Sequence, residues 1–255
     1  MGVQIAQPVF VLGRKPLEVP KRQKMERSLT RRLSRLNSRK RRELVALIGN
    51  PPDATKVPQS FWDEVARETE EEVTQLLFLM FLASANYHAW GSERKPSGPS
   101  IAGLGSLMMV DFDKDASSYS SSRGSSVASS VTAGAITRFS NAMKDLEREG
   151  QDRPLSQGRI DLAMVKVLGP SSAVTVATTE MTAAQSKGAE QGLAVAGGVD
   201  PGDVWVTERD ARVCPICEPL NGFSREVWGA QYPSGPPAHP NCRCTVRYVN
   251  QPRGT

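Results

Sequence analysis

Val204-Trp205-Val206-Thr207, Cys214-Pro215-Ile216-Cys217 and His239-Pro240-Asn241-Cys242-Arg243-Cys244-Thr245-Val246-Arg247-Tyr248-Val249 decide the reading of this 255-residue chain. Val204 to Thr207 and Thr245 to Val249 have the β-branched, alternating character of short strands, and Pro and Gly crowd the turns between them. All four cysteines lie in this stretch, so thiol chemistry concerns one short region. Two donor pairs on separate turns, 22 positions apart from Cys217 to His239, suit a tetrahedral metal. Five donors compete for four places. Cys214, Cys217 and Cys242 with either His239 or Cys244 would close a structural zinc site, leaving no open position for a catalytic water. Asp210 and Glu218 are candidate carboxylate acceptors around it. Spacing alone leaves two other states open: two disulfides, or four small buried thiols. Large apolar residues are few here, chiefly Phe223, Trp228 and Tyr232, so a metal staple would add what the core lacks.

Upstream the pattern is helical. Ser171 or Ser172 caps an Ala/Thr-rich helix that runs to about Ala196, where Gly197 and Gly198 end it. Ala183, Ala184, Gly188, Ala189 and Gly192 make that helix thin on one side, which admits another backbone. A short apolar segment, Ile160 to Leu168, precedes it. Ile136, Phe139, Met143 and Leu146 share a helix face that ends near Gly150. Residues 91–130, with the run Ser117 to Ser126, are too poor in apolar side chains to offset ordering entropy and read as a flexible linker. Before it, Trp62, Val65, Val73, Leu76, Met80 and Ala83 keep helical spacing after a cap at Ser60, and the nearly continuous apolar end calls for burial. His88 follows this helix as a cap or packing residue.

Charge is distributed unevenly. Arg14 to Arg42 holds thirteen Lys/Arg and two Glu, a local +11, against +5 for the whole chain, which leaves −6 elsewhere. Leu29, Leu33, Leu36, Leu44, Leu47 and Ile48 give this basic stretch one apolar stripe, so it reads as an amphipathic helix from Lys21 to Ile48, with a break near Asn37. Gly49, Asn50, Pro51 and Pro52 stop it. Arg31, Arg32, Arg35, Arg39, Lys40, Arg41 and Arg42 are its candidate contacts for phosphate or an acidic partner; the alternative is a solvated charged face. No apolar run reaches the roughly 18 residues of a membrane span, and the N-terminus lacks the pattern of a secretory signal. A soluble protein made in a reducing cytosol is expected.

The closing motif is specific enough to resemble a family. Trp205-Val206-Thr207-Glu208-Arg209-Asp210-Ala211-Arg212-Val213-Cys214-Pro215-Ile216-Cys217-Glu218-Pro219-Leu220-Asn221-Gly222, followed by Pro236-Pro237-Ala238-His239-Pro240-Asn241-Cys242-Arg243-Cys244, is similar to the Mu F-type head morphogenesis (minor head protein) family of tailed phages. Thr179, Glu180, Ala184 and Gly188 look like the Thr-Glu helix that precedes this motif in the family. The resemblance covers about residues 130 to 250. It implies a low-copy protein of the procapsid near the portal, with portal, major capsid or scaffold protein as partners, a part in DNA packaging or ejection, no membrane, and residence in the virion after assembly in the host cytoplasm. Many relatives place a histidine where Cys217 stands and lack a counterpart of Cys214. That departure favours Cys217, His239, Cys242 and Cys244 as the shared site and puts Cys214 in question.

Only two histidines occur, and no Gly-rich phosphate loop, nucleophile elbow or His-Glu-x-x-His pattern accompanies them. Glu70, Glu71 and Glu72 sit on an ordinary charged helix face. A non-enzyme is expected. The expected fold is α+β, mainly helical, with a C-terminal β module stapled by the Cys/His cluster. The expected divisions are a basic leader and helix at 1–56, an apolar helix at 57–90, the linker at 91–130, and a Mu F-like domain at 131–255 containing the module at 203–250. The alternative function is a zinc-stapled nucleic-acid-binding protein that works through its basic arm.

Overall fold

The computed structural model describes residues 22–90, 111–208 and 213–249. Its elements are α1 (Arg22–Ile48), α2 (Gln59–Trp90), α3 (Asp113–Asp152), α4 (Gln157–Val167), α5 (Pro170–Ala196), β1 (Val204–Val206), α6 (Arg225–Trp228) and β2 (Thr245–Arg247). The fold is mainly helical, with one two-stranded antiparallel sheet beside the Cys/His cluster, as the sequence implies. The described residues fall into two compact units: 27–76 with 120–177, and 22–26 with 77–90, 111–119, 178–208 and 213–249.

In the unit of 27–76 and 120–177, the core takes Leu44 and Ile48 from α1, Phe61, Trp62 and Val65 from α2, Phe139 and Leu146 from α3, and Ile160 and Met164 from α4. Each such side chain contributes about 1.5–3 kcal/mol by leaving water. The Trp62 and Phe139 rings meet at 5.5 Å. No break occurs near Asn37. That residue is buried inside an unbroken α1, and its amide donates to the Gly169 carbonyl (3.1 Å) and the Ser172 hydroxyl (3.3 Å), which removes the cost of burying it.

The linker reading of 113–130 is corrected: these residues belong to α3, while 91–110 lie outside the described residues. Composition hid the pattern. Ala116, Ser120, Gly124, Val127, Ala128, Thr132, Ala135 and Phe139 are buried at helical spacing, and most of the serines between them face outward. Small residues serve here because the partner is close; a Cβ at Gly124 would come within 2.0 Å of the Thr74 hydroxyl on α2. Ser60 likewise proves to lie within α2, which starts at Gln59. The apolar segment before α5 is the helix α4, capped by Ser156, whose side chain accepts from the Arg159 amide.

In the other unit, the end of α2 packs Phe81 and Ala85 with Phe112 and Ala116 of the segment that opens α3. The thin side of α5 does admit a backbone. A Cβ built on Gly188 would stand 2.3 Å from the Phe81 carbonyl oxygen, and one on Gly192 would stand 2.2 Å from that of Ala85. Ser84 adds a hydroxyl bond to the Gln185 carbonyl at 2.7 Å. His88 lies inside α2 rather than past its end. It is 2% exposed, its ring meets Tyr248 edge-on at 5.0 Å, and both ring nitrogens lack partners, so it packs and does not cap. By length and composition Gln157–Ala196 could cross a membrane, yet Ala177, Met181, Ala184 and Leu193 are buried in the fold, as in the core helix of a water-exposed protein.

β1 and β2 pair antiparallel with Trp205 opposite Val246, and their core is aromatic. Trp205 and Trp228 are fully buried and meet edge-on at 5.4 Å, with Ala189 and Leu193 of α5 closing the cluster. Trp205 and α5 therefore supply much of the core that the sequence assigned chiefly to Phe223, Trp228 and Tyr232.

Gly188→Ala and Gly192→Ala should each destabilise the chain by about 2 kcal/mol in urea unfolding, because displacing a backbone carbonyl outweighs the roughly 1 kcal/mol of helix propensity gained. Gly158→Ala, with open space around the new methyl, should be neutral or stabilising by up to about 1 kcal/mol. Burial lowers His88 from 6.5 to about 4. The unfolded chain therefore binds the extra proton first, and stability should fall by about 3 kcal/mol as pH drops from 6.5 toward 4, a loss that His88→Phe removes in pH-dependent unfolding.

Candidate metal centre

Two turns of the same build face each other. Cys214-Pro215-Ile216-Cys217 closes with the Cys217 amide donating to the Cys214 carbonyl at 3.1 Å, and His239-Pro240-Asn241-Cys242 closes with the Cys242 amide donating to the His239 carbonyl at 3.2 Å. The Glu218 amide also donates to the Cys214 carbonyl, and the Cys217 amide lies 3.4 Å from the Cys214 sulfur. The second turn needs a left-handed residue, and Asn241 at φ 66° provides it. Each turn thus presents its first and fourth side chains on one side.

The donors converge in two triads that share Cys217: Cys214, Cys217 and His239, then Cys217, Cys242 and Cys244, with the atoms of each triad within 4.8 Å of one another. The Cys217 and Cys242 sulfurs are 3.8 Å apart, which matches the edge of a zinc–sulfur tetrahedron, about 3.8 Å for bonds of about 2.3 Å. His239 Nε2 lies 2.8 Å from the Cys214 sulfur and 3.1 Å from that of Cys217. His239 Nδ1 is 2.7 Å from the Pro240 carbonyl, so it carries the proton and leaves the Nε2 lone pair aimed at the sulfurs. A space of about 20 Å³ beside the cluster, lined by Glu208, Val213 and Asn241 among others, has room for one ion or water and none for an organic substrate.

The electrostatics favour a cation. Hydrogen bonds from Cys217 and Cys244 push the Cys242 thiol down, against the opposing effect of burial. The same bonds push the Cys217 thiol far up. Cys244, lowered by Cys217, still ends at about 12 because Cys242 and burial outweigh that bond. Crowded sulfurs oppose one another's ionisation, and a bound cation would relieve that opposition. All four cysteines stand as free thiols in this structure.

Helix α5 holds the second turn through a polar row that the sequence only partly disclosed. The Asn241 amide donates to the Thr179 hydroxyl (2.7 Å), the Thr182 hydroxyl donates to the Cys242 carbonyl (2.9 Å), and Gln185 reaches Thr245 at 3.4 Å. Arg22, 3% exposed, donates to Thr182 (3.0 Å) and to the Arg243 carbonyl (3.3 Å). Thr179, Thr182 and Gln185 recur at helical spacing along α5, a signal that was available. Nothing in the sequence marked Arg22. Glu218 serves through its backbone, its side chain exposed, and Asp210 lies outside the described residues.

The seven basic candidates on α1 divide. Arg32 pairs with Glu72 and Gln75, and Arg39 with Glu68. Lys40 is 2% exposed against Glu43, Glu64 and Glu68; burial lowers its pKa, but bonds to Glu64 and Glu43 raise it on balance. These three are structural, since the acidic face of α2 neutralises them. Arg31, Arg35 and Arg42 are exposed, and Arg41 is half-buried.

In the metal-free chain Cys214, half-buried, should react first with a thiol reagent, while Cys217, Cys242 and Cys244 should follow only as the fold opens. Thr182→Val leaves the buried Cys242 carbonyl without its donor; it should cost about 1–3 kcal/mol and speed amide exchange across residues 239–245.

No curated protein and no solved structure matches this chain significantly. A family model does. It is described as Phage Mu protein F like protein and matches residues 126–247, from within α3 to the end of β2, taking in the polar row of α5 and both donor turns. Over residues 126–247, a little under half of its length, the chain is similar to the phage Mu F-like family.

Proposed function

We propose that this chain is a minor head protein of a tailed phage, acting in procapsid assembly at or near the portal and taking part in DNA packaging or ejection. The observation that carries the reading is the Mu F-like match over residues 126–247. Its partners on this reading are the portal protein and the major capsid or scaffold protein, its place is the virion, and it works in the host cytoplasm during assembly. It is not an enzyme on this reading, which the closed cluster and its space of about 20 Å³ support. In a phage genome that encodes it, deleting the chain should yield aberrant or non-infectious heads, and mass spectrometry of purified wild-type heads should detect it. Normal infectious heads without the protein would refute the assembly role.

The reading includes a structural zinc held by Cys214, Cys217, His239 and Cys242, the first and fourth residues of the two matching turns. Zinc would tie the turns together and leave no open coordination position. Cys244 is then a buried thiol packed on Val246 and Trp205. This set departs from the one the family resemblance favours, in which Cys244 replaces Cys214. Elemental analysis of the full chain should find about one zinc per chain, abolished by Cys217→Ser and retained in Cys244→Ser. Loss of zinc in Cys244→Ser with retention in Cys214→Ser would establish the other set, and a metal-free chain with four reactive thiols would refute zinc altogether.

A further inference from the structure

The basic charges of α1 sort by face. Arg32, Arg39 and Lys40 turn toward the acids of α2 and are neutralised there. Arg27, Arg31, Arg35 and Arg42 follow the adjoining face at spacings of four, four and seven residues, all exposed; among the described residues none has an ion-pair partner, although Arg35 borders the cleft that Arg32 and Arg39 share with Glu68, Glu71 and Glu72. The stripe runs about 22 Å at 1.5 Å per residue. Arg27, Arg31 and Arg35 are like charges at i,i+4, which oppose helix formation by about 0.2–0.5 kcal/mol a pair, and no acid from the described residues relieves them. The acids of α1 are engaged elsewhere: Glu43 bonds Lys40, and Glu26 accepts from Thr178.

We infer that this stripe is a docking face for the phosphate backbone of duplex nucleic acid, read without regard to sequence. Guanidinium groups take phosphate oxygens two at a time, and four of them along a straight helix follow a backbone over about two-thirds of a duplex turn of about 34 Å. Ser28, Ser34 and Ser38 lie between them as further donors to phosphate. From Arg27 to Arg42 the exposed face carries no Asn or Gln to read base edges and no aromatic ring to stack an unpaired base. The stripe precedes the Mu F-like segment, and the inference adds a partner to the head-protein reading while being tested without any particle.

The test is fluorescence anisotropy of the full chain with a labelled duplex of about 25 base pairs, at salt from about 50 to 300 mM. Four phosphate contacts predict a log–log salt slope of about −3.6, alike for unrelated sequences. The triple variant Arg31→Gln, Arg35→Gln, Arg42→Gln should lower the slope to about −0.9 and weaken binding at least about tenfold near 100 mM salt. Its circular dichroism should be unchanged, because these side chains touch no core. Arg148→Gln, which removes a charge from α3, should bind as wild type. No binding near 50 mM salt would overturn the inference, as would a triple variant that binds like Arg148→Gln. Tighter binding to a single strand, or to polyglutamate at equal charge concentration, would assign the face to another partner and overturn it as well. None of these failures touches the family match or the deletion phenotype.

Discussion

Thr182 accepts a hydrogen bond from the buried Arg22 guanidinium and donates its own hydroxyl proton to the Cys242 carbonyl. The site depends on that relay. The turn from His239 to Cys244 has no regular structure of its own, and its carbonyl at 242 is buried while that at 243 is partly so. Thr182 of α5 meets the first with its hydroxyl and Arg22 of α1 meets the second with its guanidinium, and together they fix the turn against α5. The turn in turn fixes where His239 and Cys242 point. Loss of Thr182 would leave a buried acceptor unpaired.

The same helix performs a second task on its other side. Gly188 and Gly192 let the α2 backbone approach so closely that a methyl group has no room. Ser84 answers the Gln185 carbonyl across that contact. Helix α5 is thus held by backbone approach at one face and by side-chain hydrogen bonds at another, so its rotation about its own axis is strongly determined. The donor cluster inherits that precision, and the buried Trp205–Trp228 pair backs it from the sheet side.

In the unit built from 27–76 and 120–177, charge is used for two purposes. Lys40 is buried because Glu43, Glu64 and Glu68 surround its ammonium and Phe61 lies 5.8 Å beneath it, so the ion is solvated by protein. Arg27, Arg31, Arg35 and Arg42, on the adjoining face, form no ion pair among the described residues. Local sequence treats the two groups alike, since both are Lys or Arg in one basic helix.

Local chemistry determined by itself that the C-terminal turns would gather sulfur and imidazole donors. Cys-Pro-x-Cys and His-Pro-x-Cys each close through bonds between their own residues, and such turns need no distant partner. Helical periodicity likewise disclosed α1, α2 and α5, because their large apolar residues recur at three and four. It failed for residues 113–130, where the buried stripe is Ala, Ser, Gly and Thr, and where burial depends on a neighbouring helix close enough to touch small side chains. The tertiary structure alone decided which basic residues are neutralised, that Arg22 supports the metal-ligand turn, and that Trp205 with α5 completes the core around the cysteines. Each of these depends on residues 12 to 221 positions apart in the chain, and a partner at that separation leaves no period or motif for the sequence to display.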